Sequence, residues 1–140
     1  MTMPGSANQP LSMFSMGQRA MSAQLVRMNA AASNLANAGS VSATEQGAYR
    51  PMRAVFAEQF DAASGMSTVR VDAVMRTDAA PVRRHEPGHP LADANGDVWM
   101  SPVDENAEMV EMLDASRQYQ NMVEAMSTTK QLMLETMRMK

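Results

Sequence analysis

The chain contains no cysteine, which excludes a disulfide framework, a thiolate metal centre and a thiol nucleophile. It has only six aromatic residues in 140, namely Phe14, Tyr49, Phe56, Phe60, Trp99 and Tyr119, so no large aromatic core is available. No apolar run approaches the length of a membrane span. The first ten residues lack the basic and apolar regions of a cleavable signal peptide. A net charge of −3 withholds the basic footprint that phosphate backbones require, which argues against nucleic acid as a partner. No Ser/His/Asp set with motif support, phosphate-cradling glycine loop or convincing carboxylate pair is present. The composition therefore offers little to a catalyst, and neither a cofactor nor a small-molecule substrate is expected.

What the chain does have is methionine, 17 residues of it. Methionine is unbranched and polarizable, so it fills irregular cores and also suits surfaces that meet several inequivalent neighbours. Both readings are open here. Many of these residues fall on two heptad stripes near the ends of the chain. One runs Phe14, Met21, Leu25, Met28, Ala32 and Leu35. The other runs Met109, Met112, Ser116, Tyr119, Val123, Met126, Lys130, Met133 and Met137. Alternating three-and-four spacing puts one side of each helix on a seam that needs another helix against it.

The expected class is α+β, with two long terminal helices pairing as a coiled coil around a small hairpin-rich β unit. Residues 1–10, with Pro4, Gly5 and Pro10, read as a flexible arm. The first helix is expected over 11–38, ended by Asn37-Ala38-Gly39, with Gly17 weakening its first turns. Linker and β unit occupy 39–103, of which the stretch up to 48 reads as polar linker. Strands are expected within Tyr49–Phe60, at Val69–Ala73 and at Val98–Met100, with a hairpin loop over 61–65. The run holding Pro81, Pro87 and Pro90 reads as extended and turn-rich. The second helix, 104–140, takes Asp104 as its N-cap and is about 50 Å long.

Charge is distributed unevenly between the helices. Residues 11–37 carry Arg19 and Arg27 without an acid, whereas 104–116 carry Asp104, Glu105, Glu108, Glu111 and Asp114 without a base. That asymmetry would favour one register of pairing, although acids near a helix N-terminus also suit a solvated face.

Two motifs look chemical. His85-Glu86-Pro87-Gly88-His89 matches the letters of a zinc-protease motif, but Pro87, Gly88 and Pro90 forbid the helix that would bring both histidines to one metal. Asp93, Asn95 and Asp97 resemble the start of a calcium loop, yet Val98 stands where the loop needs glycine. An Asx-rich turn explains them better.

Three stretches carry a family resemblance. They are Ala20-Met-Ser-Ala-Gln-Leu-Val-Arg-Met-Asn29 with Ala32-Ser-Asn-Leu-Ala-Asn37, then Pro87-Gly-His-Pro-Leu-Ala-Asp-Ala-Asn-Gly96, and Glu108-Met-Val-Glu-Met-Leu-Asp-Ala-Ser-Arg-Gln-Tyr-Gln-Asn121. The first and third resemble flagellar axial proteins in general. With the second, the chain is similar to the FlgC family of flagellar basal-body rod proteins. The resemblance implies a structural subunit of the proximal rod, assembling helically through its terminal helices and transmitting torque across the periplasm. It implies copies of itself and other rod proteins as partners, with inner-membrane ring or export-gate components as further candidates. It also implies passage through the flagellar type III export system. The subunit interface implied comprises Phe14, Met21, Leu25, Met28, Asn29, Asn34, Leu35 and Asn37, with Met109, Met112, Tyr119, Gln120, Asn121, Val123, Met126, Met133 and Met137. In an unassembled subunit an unpartnered seam would not offset the entropy of ordering, so both helices are expected to order on docking. Alternatives are another flagellar axial subunit, or a soluble coiled-coil adaptor or export chaperone.

Overall fold

The computed structural model describes residues 9–62 and 64–139. The flexible arm expected over 1–10 therefore lies, up to residue 8, outside the described residues, and residues 9 and 10 open the first helix. That helix, α1, spans Gln9–Ala36 and tolerates Pro10 because a first-turn residue needs no intrahelical N–H partner. It stops where Asn37 donates its backbone N–H to Ser33 O and its side-chain Nδ2 to the same carbonyl at 2.8 Å. The second helix, α2, spans Glu105–Arg138. Its N-cap is Asp104, whose carboxylate accepts from the backbone N–H groups of Asn106 and Ala107.

Between the helices lie five strands: β1 Val41–Ser42, β2 Met52–Asp61, β3 Met66–Arg76, β4 Val82–His85 and β5 Asp97–Met100. Strands β2 and β3 form an antiparallel hairpin, with a register shift at Val55/Phe56 and a turn at Gly65, whose φ of 68° suits glycine. Strands β1, β5 and β4 form a second antiparallel sheet in that order. Two elements depart from the sequence reading. The polar linker contains β1, which pairs Val41 with Met100 and Ser42 with Trp99. The turn-rich run contains β4, whose four residues are all exposed and show no alternation to read.

The helices run antiparallel, as Asn34 meets Glu108, Arg27 meets Glu111 and Asp114, and Gly17 meets Met126. The hairpin lies along α1. Its base joins Asn34 through Met52, and the far strand joins Arg19 through Thr68. The lengths agree: about twenty helical residues and ten strand residues each cover roughly 30 Å. One end of the molecule thus gathers the C-terminus of α1, the N-terminus of α2 and the hairpin base. There the second sheet attaches, with Ser101 N–H bonded to Ser40 O at 3.1 Å. The other end gathers the start of α1, the end of α2 and the hairpin tip.

Candidate functional site: the helix pair and its polar junction

The face of α2 that meets α1 is Glu108, Met112, Ala115, Tyr119, Met122, Met126, Thr129 and Met133, a heptad register in which every member is buried or half-buried. On α1 the inward face is Gly17, Ala20, Ala23, Arg27, Ala30, Ala31 and Asn34. Small residues dominate, so the helices approach closely. Gly17 marks the tightest point: a Cβ there would stand 2.0 Å from Met126 Sδ. The glycine that weakens the helix in isolation is the one that admits the methionine.

Relative to the stripes read from sequence, Met112, Tyr119, Met126 and Met133 lie on the intrachain face. The alternate members do not. Met109, Ser116, Val123 and Lys130 each follow an inward residue by one position, about 100° further round. On α1 the shift is the same, with Met21, Met28 and Leu35 following Ala20, Arg27 and Asn34. Large apolar groups therefore remain uncovered, with Leu25 42%, Val123 43%, Met109 54% and Leu113 65% exposed. Because the helices are antiparallel and both displacements have the same sense, the two outer stripes fall on one side of the pair. The hairpin occupies the opposite side, reached by Arg19 and Ser33, which precede inward residues. Asn29, Gln120, Asn121 and Met137 are exposed, and Phe14 lines a cavity at the open end of the pair.

The most buried polar groups lie at the other end. Asn34 is 0% and Glu108 1% exposed. Asn34 Nδ2 donates to Glu108 Oε2 and to Met52 O, both at 3.0 Å. Asn34 Oδ1 accepts from Met52 N–H at 2.7 Å and from the Tyr49 hydroxyl at 2.9 Å. This amide thus fills four bonds, two of them mimicking a strand ladder against Met52. Arg53 grips Glu108 through both terminal nitrogens, one bond being 3.0 Å. Tyr49 also contacts Ser33 and lies under the Arg76 guanidinium, 5.5 Å from ring centroid to Cζ. Hydrogen bonding to Glu108 holds the Arg53 guanidinium protonated more firmly than usual, against the opposing effect of burial. One turn along, Arg27 binds Glu111 at 2.8 Å and Asp114 at 3.0 Å, and the Glu111 bond likewise raises its pKa. The charge asymmetry between the helices is thus realised within one chain at Arg27, while Arg19 turns to Thr68.

Sequence reasoning placed Asn34 at a polar position but missed Glu108, Arg53 and Tyr49. The available signal was Glu108 itself, a charged residue in phase with Met112 and Tyr119.

The two chemical-looking motifs are local structure. His85 ends β4 and pairs with Asp97, whereas the His89 ring accepts from Leu91 N–H. Asp93 caps the Asx turn, accepting from Asn95 and Asp97 N–H, and those backbone bonds, that of Asp97 foremost, lower its pKa. Among the described residues no group of three or more His, Cys, Asp or Glu could hold a metal ion, and no helix is long and apolar enough to cross a membrane.

Both terminal segments match known protein families. Residues 14–41 match the family described as flagella basal body rod protein, and residues 94–139 match the flagellar basal body rod FlgEFG protein C-terminal family. The flagellar basal-body rod protein FlgC of Salmonella typhimurium is 46% identical over 129 residues, covering 91% of this chain and 95% of the relative. That of Yersinia enterocolitica is also 46% identical, over 130 residues. The Agrobacterium fabrum protein is 33% identical over 115 residues, 81% of this chain and 82% of its own length.

Proposed function

Since the chain belongs to the FlgC family of flagellar basal-body rod proteins, and is a structural rod subunit with no enzymatic role, we propose that it joins its neighbours through the uncovered side of its helix pair. The observation that carries this reading is the pair of outer stripes. Leu25, Met28 and Leu35 on α1 lie beside Met109, Leu113 and Val123 on α2, on the side free of the hairpin. A surface of that kind on a structural subunit is one that assembly covers. Contacts that do not close into a ring propagate as a helix, which is the form a rod needs.

The finer reading places the subunit in the proximal rod within the periplasm, beside copies of itself and other rod proteins. Inner-membrane ring or export-gate components are candidate neighbours, and the flagellar type III system is the export route. Of the residues read from sequence, Leu25, Met28, Leu35, Met109, Val123 and the amides Gln120 and Asn121 suit contacts between subunits. Asn34, Met112, Tyr119 and Met126 act first within the subunit.

The test is Leu25→Asp and Val123→Asp. Each changes an exposed position, so the isolated subunit should keep its circular dichroism and unfolding midpoint. Each would place an unpaired charge in a covered interface, so rods should be absent by electron microscopy. Normal rods and motility in both variants would refute this docking face. Absence of any rod defect on deleting the gene would move the adaptor reading forward.

A further inference from the structure

We infer that the uncovered side of the helix pair receives the β2–β3 hairpin of a second copy, with Phe60 seated at Leu134 and Glu58 facing Lys130 across the contact. This names the surface that meets the docking side proposed above, and it rests on that reading.

The hairpin has two faces of different character. Thr68 is bonded to Arg19, and Met66 borders the cavity at the open end of the helix pair, so both look towards the helices. Side chains alternate along a strand, and paired residues share a face. Ser67 and Val69, with their partners Phe60 and Glu58, therefore point away from the helices. Phe60 is 65% and Val69 50% exposed. They are diagonal neighbours across the ladder, close enough to act as one apolar patch. One of the six aromatic side chains is thus held in solvent on a paired strand, and Glu58 is the charged member of the patch.

The opposite side of the molecule offers the complement. Val123 and Lys130 belong to the outer stripe of α2, and Leu134 follows the inward Met133 by one position, so all three lie on the side free of the hairpin. Val123 is 43% and Leu134 47% exposed. Among the described residues neither Lys130 nor Glu58 has a hydrogen-bond or ion-pair partner in its own chain, so each charge is available to another molecule. The spacing agrees as well. Strand β2 and helix α2 both run from the junction end to the open end. Glu58 and Phe60 are two strand residues apart, about 7 Å, and Lys130 and Leu134 are four helical residues apart, about 6 Å. A copy shifted along the helix axis without inversion meets both at once. Because the two faces lie on opposite sides of one subunit, each copy offers one and receives one, a head-to-tail contact that propagates. Stripe-to-stripe pairing would instead leave Phe60 and Glu58 in solvent.

The chain has no cysteine, so a pair of introduced thiols reports the contact directly. In cells lacking the native gene, Phe60→Cys/Leu134→Cys should build rods. Oxidising isolated basal bodies with copper phenanthroline should then link the chain into dimers and higher multiples, and neither single variant should link. Links from Phe60→Cys alone would mean that hairpin meets hairpin, and links from Leu134→Cys alone that stripe meets stripe. Either result, or no link in an assembled double variant, would overturn the inference. Should the thiol variants fail to assemble, the charges decide. Glu58→Lys and Lys130→Glu alter exposed positions and should keep the subunit's circular dichroism. Each should cut the number of rods per cell about 10-fold or more, because like charges then face each other. Combined, they should restore rods to within about 2-fold of the parent. Undiminished rods in both single variants, or a swap as defective as its parts, would overturn the pairing. If Leu25→Asp and Val123→Asp abolish rods while neither link nor rescue is found, the docking side stands and the hairpin is not what it receives. If the links form while those two variants still build rods, the hairpin contact stands and the wider docking side is wrong.

Discussion

Removing either partner of the Arg53–Glu108 pair should destabilise the subunit, but not equally. The Glu108 side chain is 2% exposed and that of Arg53 46% exposed. Arg53→Ala therefore strands a carboxylate inside the protein with the Asn34 amide as its remaining described partner, the situation that costs about 3–5 kcal/mol when a buried pair is broken. Glu108→Ala leaves a guanidinium that can turn into water and an Asn34 amide that still donates to Met52 O. Its cost is that of the lost charge-assisted bonds and a small void, about 2 kcal/mol. The double variant should lie close to Glu108→Ala, because once the acid is gone Arg53 has no buried charge to neutralise. Urea unfolding of the dilute chain, followed by circular dichroism, measures all three. A Glu108→Ala cost equal to or above that of Arg53→Ala would refute the reasoning, since it would mean that desolvation of the carboxylate is not what the pair offsets.

The Gly17 notch gives a size-dependent expectation. Gly17→Ala gains up to about 1 kcal/mol of helix propensity while pushing a flexible methionine aside, so its thermal midpoint should stay near that of the parent. Gly17→Val should cost about 1–3 kcal/mol, largely recovered in combination with Met126→Ala. Asp104→Ala removes the acceptor for two N–H groups at the start of α2 and should cost about 1 kcal/mol in the same assay. For Asp93 the sign follows from its lowered pKa: the turn it caps is favoured above the ordinary carboxylate range and weakens as the pH falls through the lowered value. Proton titration by NMR should find Asp93 below the ordinary carboxylate range, and Asp93→Asn should remove that dependence.

Much of the fold was legible because its signals are local. Asp104 announces α2 by its own capping chemistry, and Asn37-Ala38-Gly39 ends α1 within a residue or two of the expected place. The β2–β3 hairpin follows from alternation around Val69–Ala73 and a short loop. What was not legible depends on partners far along the chain. Strand β1 is two residues long and exists because β5 lies beside it. Which neighbour each seam position faces was not legible in the sequence, for a reason of size. The sequence stripe runs through Ser116, Val123 and Lys130, whereas the intrachain face runs through Ala115, Met122 and Thr129. On α1 the close-packed face is made mostly of small residues, Ala23, Ala30 and Ala31 among them, while the larger Leu25 is left exposed. Glu108 is the sharpest case. Its burial is intelligible only with Asn34 and Arg53, which lie 74 and 55 residues away in sequence.

The antiparallel course of the helices fixes how the subunit responds to force. Gln9 and Arg138 lie at the same end, away from the polar junction. Tension applied to the two ends of the chain therefore loads the helix contacts one turn at a time, beginning at Gly17 and Met126, so resistance is low until the junction is reached. A load applied along the helix axes instead strains the contacts in parallel, and the Asn34–Glu108–Arg53 bonds share it. The same molecule is compliant when drawn out by its ends and stiff when sheared, a mechanical anisotropy that follows from where its polar bonds sit.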